Sequence, residues 1–250
     1  MNDEYKRTFE VVDKVIQDLS EQIREVCNRL TNTFSGLEDV IRELPPQTKR
    51  VQHFLALRGW YLPGNCLPAD IAILDDYIHH EDERAVEDFM RDYVSSELDV
   101  IKQSVCFAWS ERSKILEDAF TAHEQGQYSL SIPVMLAQAD GICHEILGVS
   151  FYAKCNSVPR TAKAYRSKLK EPVSEEGFLD IFFLGPLNIL SSLAFNTDHR
   201  DKEREKGASF GPLNRHGVMH GLDTDYNTRA NGLRVVALLD YLTNLKMYFK

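Results

Sequence analysis

The chain has 250 residues, a formal net charge of −9, a 43% apolar content and five cysteines. That length buries a substantial core as one large domain or two small ones, and no run of about 18 apolar residues offers a membrane span. The cysteines (Cys27, Cys66, Cys106, Cys143, Cys155) are scattered without a CxxC pair, which argues against a disulfide framework or zinc knuckle. With a charged opening and no secretory leader, they predict a cytoplasmic protein.

Residues 4–33 read as a long helix, with Phe9, Val12, Ile16, Leu19, Ile23, Val26 and Leu30 recurring at steps of three and four. This stripe suits either packing within the chain or docking of a protein partner. Ser35-Gly-Leu-Glu38 is a capping box for a second helix ended by Pro45-Pro46, and Thr48 can cap a third that runs to Gly59. The Gly59–Pro68 stretch is a loop whose Trp60 and Tyr61 either stack on bases or, as such aromatics more often do, pack over a core.

Two acidic helices are expected next, over 69–79 and 81–107. Residues 70–99 hold eleven acids against Arg84 and Arg91, a balance of −9 that equals the surplus of the whole chain. That segment reads as a solvated acidic face or a second surface for a protein partner. The expected division is a helical N-terminal region over 1–108, containing this segment, and a helical domain over 109–250.

In the second part, an amphipathic helix over 110–124 leads to an apolar one over 131–147, with Pro133 in its first turn. Set within the apolar run is Asp140, which either orients an imidazole elsewhere or sits at the helix surface. Lys154, Arg160, Lys163, Arg166, Lys168 and Lys170 then form a run of six cations with no acid between them. The run is either a solvated face or a contact for a polyanion. Residues 175–195 are dense in Phe, Leu and Ile, and a last amphipathic helix over 227–249 is expected to close the bundle. No period-two pattern with turn chemistry competes, so the fold class is all-α, a helical bundle with an N-terminal helical extension.

The run Phe210–Gly221 carries the chemistry. Pro212 suits a helix start and Gly221 a helix stop, with Asn214, Arg215, His216 and His220 between them. A guanidinium matches phosphate, and imidazole is the group most easily poised as acid or base near neutrality. On a helix His216 and His220 share a face, whereas Arg215 and His220 point about 140° apart. A second chemical possibility puts four metal ligands between two helices, from Asp140, His144, His216 and His220, although the usual Glu-x-x-His pairing is missing.

Arg215, the polar His216 and then His220 after three more residues resemble the R-(polar)-x3-H signature of HEPN domains, over roughly residues 110–250. The resemblance implies a helical, usually homodimeric domain with a composite site at the two-fold interface. It implies a metal-independent endoribonuclease with no cofactor, serving as a toxin or an antiviral, abortive-infection effector. Such enzymes leave a 2′,3′-cyclic phosphate and a 5′-hydroxyl. By position Arg215 and His220 are the catalytic pair and His216 the intervening polar residue; Asn214 and Asp140 stand beside the motif as supports. Some HEPN toxins carry a tyrosine two residues beyond the histidine, where this chain has Leu222. A non-catalytic helical interaction module is the alternative reading.

Overall fold

The computed structural model describes residues 21, 25, 42–155, 158–168, 178–195, 201, 202, 205 and 213–249. The protein is an all-α helical bundle; a two-residue antiparallel ladder, Lys154–Cys155 against Val158–Pro159, is the sheet among these residues. Contacts divide the chain into two compact units, Met1–Leu44 and Pro45–Lys250. Of the expected N-terminal helix, Glu21 and Glu25 are described, both helical and exposed; its apolar stripe lies outside the described residues.

Residues 42–57 form one continuous helix, α1, so Pro45 and Pro46 lie within it rather than ending a helix and Thr48 does not cap a new one. Thr48, Val51, Gln52, Leu55 and Ala56 are buried at the spacing of one helical face. The acidic segment forms α2 (Pro68–His79), α3 (Glu83–Ser96) and the start of α4 (Leu98–Ala108). The helix expected over 81–107 is therefore two, interrupted at Glu97. Asp82 caps α3 by accepting from the Ala85 N–H at 2.9 Å.

Three acids of this segment serve as docking points for arginines on other elements. Asp75 takes both Arg50 donors at 2.9 and 2.7 Å, Glu83 pairs with Arg58, and Glu87 takes the Arg234 guanidinium at 2.7 Å. These pairs, with the packing of α3 and α4 on the last helix, put the acidic segment in the same unit as the C-terminal part.

A hairpin of α5 (Ser113–Glu124) and α6 (Tyr128–Leu147) follows. Helix α6 begins earlier than its sequence suggests, so Pro133 lies inside it. A proline there has no N–H for the carbonyl four residues back. That carbonyl, on Ser129, instead accepts from Tyr226 Oη at 3.1 Å. Beyond α6 come α7 (Arg160–Lys168), α8 (Phe178–Leu184), two single-turn 3-10 helices (Pro186–Asn188 and Ser192–Ala194), α9 (Arg215–Met219) and α10 (Arg229–Tyr248).

Helix α10 is the centre of the bundle rather than its closing helix. It packs against α6, α4, α3 and α8, and fourteen of its residues are buried, including Leu233, Val236, Leu239, Leu242 and Leu245. A helix covered all round is a core element, and each fully buried Val or Leu contributes roughly 1.5–3 kcal/mol. Trp60 and Tyr61 pack against it and are each 1% exposed. The Tyr61 ring stacks on Tyr241 at 5.3 Å, and Trp60 Nε1 donates to Glu87 at 2.8 Å.

Candidate functional site

Asn214 fixes the motif segment. It is the N-cap of α9, its Oδ1 accepting from the Gly217 N–H at 2.8 Å. Its Nδ2 donates to the carbonyls of Ser192 and Phe195 at 3.0 and 2.8 Å. At 2% exposure it pins the short helix onto the Ser192–Ala194 turn, so it supports the site without facing it. Helix α9 starts at Arg215, and Pro212 lies outside the described residues. Past the C-cap, His220, Gly221 adopts φ 68°, the left-handed geometry that ends helices and that residues with a Cβ resist.

Arg215 leaves α9 toward the turn that follows α6. Its Cζ lies 5.3 Å from the centroid of the Tyr152 ring, a cation–π contact. The Tyr152 hydroxyl donates to the Leu136 carbonyl at 3.3 Å, which fixes the ring against α6. Burial and then the nearby Asp140 carboxylate push this phenol well up, so it stays neutral and offers a ring face. Among the described residues Arg215 has no acidic partner. A fixed guanidinium with unused donors suits a phosphate ligand.

Arg215, His216, Tyr152 and Lys154 line one cleft of about 130 Å³, with Leu193, Ala194 and Phe195 as its apolar wall. Burial lowers the Lys154 ammonium below its ordinary value, and this lysine is a second cation facing the same space. His216 is half-buried; its ring lies 4.3 Å from that of His220 at a 56° tilt. His220 is exposed and stands outside the cleft lining, joined to it through His216. The two histidines thus share a face, as one-turn spacing requires, and Arg215 diverges from His220.

The remaining sequence candidates are distributed differently. Among the described residues the Asp140 carboxylate accepts from Ser150 Oγ and from the Phe151 N–H, the latter at 2.9 Å, and meets no imidazole. It thereby shapes the turn that presents Tyr152. The four-ligand metal arrangement loses Asp140 to that task, and no group of three or more metal-binding side chains converges among the described residues. Arg160, Lys163 and Arg166 are exposed along α7, with Arg166 over the Tyr165 ring. Lys168 donates to the Ile146 carbonyl at the end of α6, and Lys170 lies outside the described residues. Of the basic run, Lys154 reaches the cleft.

Sequence reasoning missed Tyr152. Nothing in Gly148-Val-Ser-Phe-Tyr152 signals a role, because that role depends on a tertiary contact with a residue far along the chain. No helix among the described residues is long and apolar enough to cross a membrane. No protein-family model, no curated protein and no solved structure matches the chain.

Proposed function

We propose that the chain is a metal-independent endoribonuclease of the HEPN type, acting in the cytoplasm as a toxin or antiviral, abortive-infection effector. The observation that carries this reading is the cleft shared by Arg215, His216 and Lys154, with the His220 ring set against His216. Two cations next to two imidazoles supply what cleavage of an RNA phosphodiester needs. An imidazole takes the proton of the ribose 2′-hydroxyl, and the 2′-oxygen attacks phosphorus. The 5′-oxygen leaves with a proton from an acid, giving a 2′,3′-cyclic phosphate and a 5′-hydroxyl. Arg215, steadied by Tyr152, holds the non-bridging oxygens while charge builds on them. His220 is the proton carrier and His216 its neighbour within the cleft. A two-fold homodimer lets both copies contribute to one composite cleft, and Arg160, Lys163 and Arg166 extend the cationic track for RNA.

The test is purified protein with total RNA in excess EDTA, beside an Arg215→Ala/His220→Ala double variant. Cleavage that survives EDTA and falls at least ~100-fold in the variant supports the reading. Equal cleavage by both proteins refutes it. One observation favours a non-catalytic interaction module instead: Val100 and Phe107, seven residues apart on α4, are 59% and 89% exposed. No cleavage under any condition, with a partner captured through that face, selects this second reading.

A further inference from the structure

A larger hollow of about 550 Å³ lies where α4, α6, α7 and α10 end, away from the motif residues. Trp109, Ile146 and Phe249 line it, together with Lys168, Lys246 and Glu145. Its size lies within the range of small-molecule sites, which are mostly apolar with a few placed polar groups. Trp109 is held in plane by donating from Nε1 to Thr243 Oγ1 at 3.0 Å. Lys246 Nζ sits 3.8 Å from the Trp109 ring centroid and donates to the Ala108 carbonyl at 2.7 Å. Lys168 donates in the same way to Ile146.

Each ammonium carries three donors and spends one on a helix-terminal carbonyl. Neutralising the C-terminal ends of α4 and α6 accounts for those two bonds. It does not account for two cations converging on an aromatic hollow with no acid of their own among the described residues. Glu145, the carboxylate of the lining, is already answered by Arg112, whose Nε donates to it at 3.0 Å.

We propose that this hollow is a binding site for a small planar aromatic anion. The flat apolar body would lie among Ile146, Trp109 and Phe249, and a carboxylate, sulfonate or phosphate would take the unused donors of Lys168 and Lys246. The site shares no residue with the cleft of Arg215 and stands whether or not that cleft cuts RNA.

The test is fluorescence titration of the full chain with anilinonaphthalene sulfonate and, in parallel, with its uncharged parent phenylnaphthylamine. The expected result is one sulfonate probe per chain, bound about tenfold or more weakly in Lys168→Gln/Lys246→Gln. The uncharged parent should bind wild type and that variant alike, and Phe249→Ala should weaken both probes. Undiminished sulfonate binding in the double variant, equal weakening of both probes in it, or several equivalent sites per chain overturns the proposal. Circular dichroism establishes that the variants keep the wild-type thermal transition. Should the double variant lose it, Phe249→Ala carries the test, and undiminished binding of the sulfonate there overturns the assignment.

Discussion

Among the arginines that lie over aromatic rings, Arg234 and Arg215 have opposite fates. Arg234, in the middle of α10, has its Cζ 4.7 Å from the Trp60 ring centroid and is 3% exposed. Every face of it is engaged: Nε donates to the Arg58 carbonyl at 3.0 Å, one nitrogen to Asn231 at 3.2 Å, and another to both oxygens of Glu87. Arg215 has the same kind of platform in Tyr152 but is half-buried, lines a cleft and has no carboxylate among the described residues. A guanidinium whose three nitrogens all have partners is architecture, and one fixed by its ring contact with no hydrogen-bond partner among the described residues is available to a ligand. Burial and pairing, not residue type, separate the two regions.

The sharpest way to break the comparison is to delete the architectural cation. Arg234→Ala leaves Glu87 with the Trp60 N–H as its remaining donor and should cost about 1.5–3 kcal/mol in chemical denaturation, the range for hydrogen bonds to charged groups. Arg215→Ala, by contrast, should change stability by less than about 1 kcal/mol, since it removes one partly exposed cation–π contact. If both variants lose stability equally, the distinction drawn here is wrong.

Gly232 on α10 comes next. A Cβ there would meet His123 Nδ1 at 2.4 Å, and the 3%-exposed imidazole has little room to move away. Gly232→Ala should therefore lower stability by about 1–3 kcal/mol, measurable as a shift in thermal midpoint. Asn214→Ala should cost about 0.5–2 kcal/mol for the lost cap. It should also loosen α9 from the Ser192–Ala194 turn, so any RNA cleavage should fall.

The smallest effect is one of pH. Burial, then Arg229, holds the His123 imidazole below its ordinary value of 6.5, and its Nδ1 has no hydrogen-bond partner among the described residues. A depressed histidine favours the folded state fully above the unfolded value and loses that contribution as pH falls through the folded one. The thermal midpoint should thus decline on the acid side of about pH 6.5, and His123→Phe should flatten that decline. An unchanged slope in the variant would show that His123 is not its source.

The long elements were legible because their apolar positions recur at helical spacing and their ends carry caps. The place of α10 was not. Amphipathic spacing implies a solvated side, yet Asn231, Arg234, Asp240 and Thr243, spread round the helix, are all buried. Their partners come from distant chain: Glu87 for Arg234, the Gly64 N–H for Asp240 at 2.9 Å, and Trp109 Nε1 for Thr243. Periodicity carries no record of such pairings, so a central helix looked like a closing one. The start of α6 was misplaced for a related reason, because Tyr226 supplies the bond that Pro133 cannot. In the site, Arg215, His216 and His220 were legible as a local cluster. Asp140 was drawn away by Ser150 and Phe151, and Tyr152 stayed invisible because it acts through a residue on another element.

The central claim, that a fixed guanidinium and neighbouring imidazoles cut RNA through its own 2′-hydroxyl, is tested most directly by the ends of the products. A single-stranded RNA and its fully 2′-O-methylated counterpart are incubated with the protein in EDTA, and the fragments are weighed by mass spectrometry. The account predicts 2′,3′-cyclic phosphate and 5′-hydroxyl ends from the first RNA and no cleavage of the second. Cleavage of the methylated strand, 5′-phosphate ends or abolition by EDTA would contradict it.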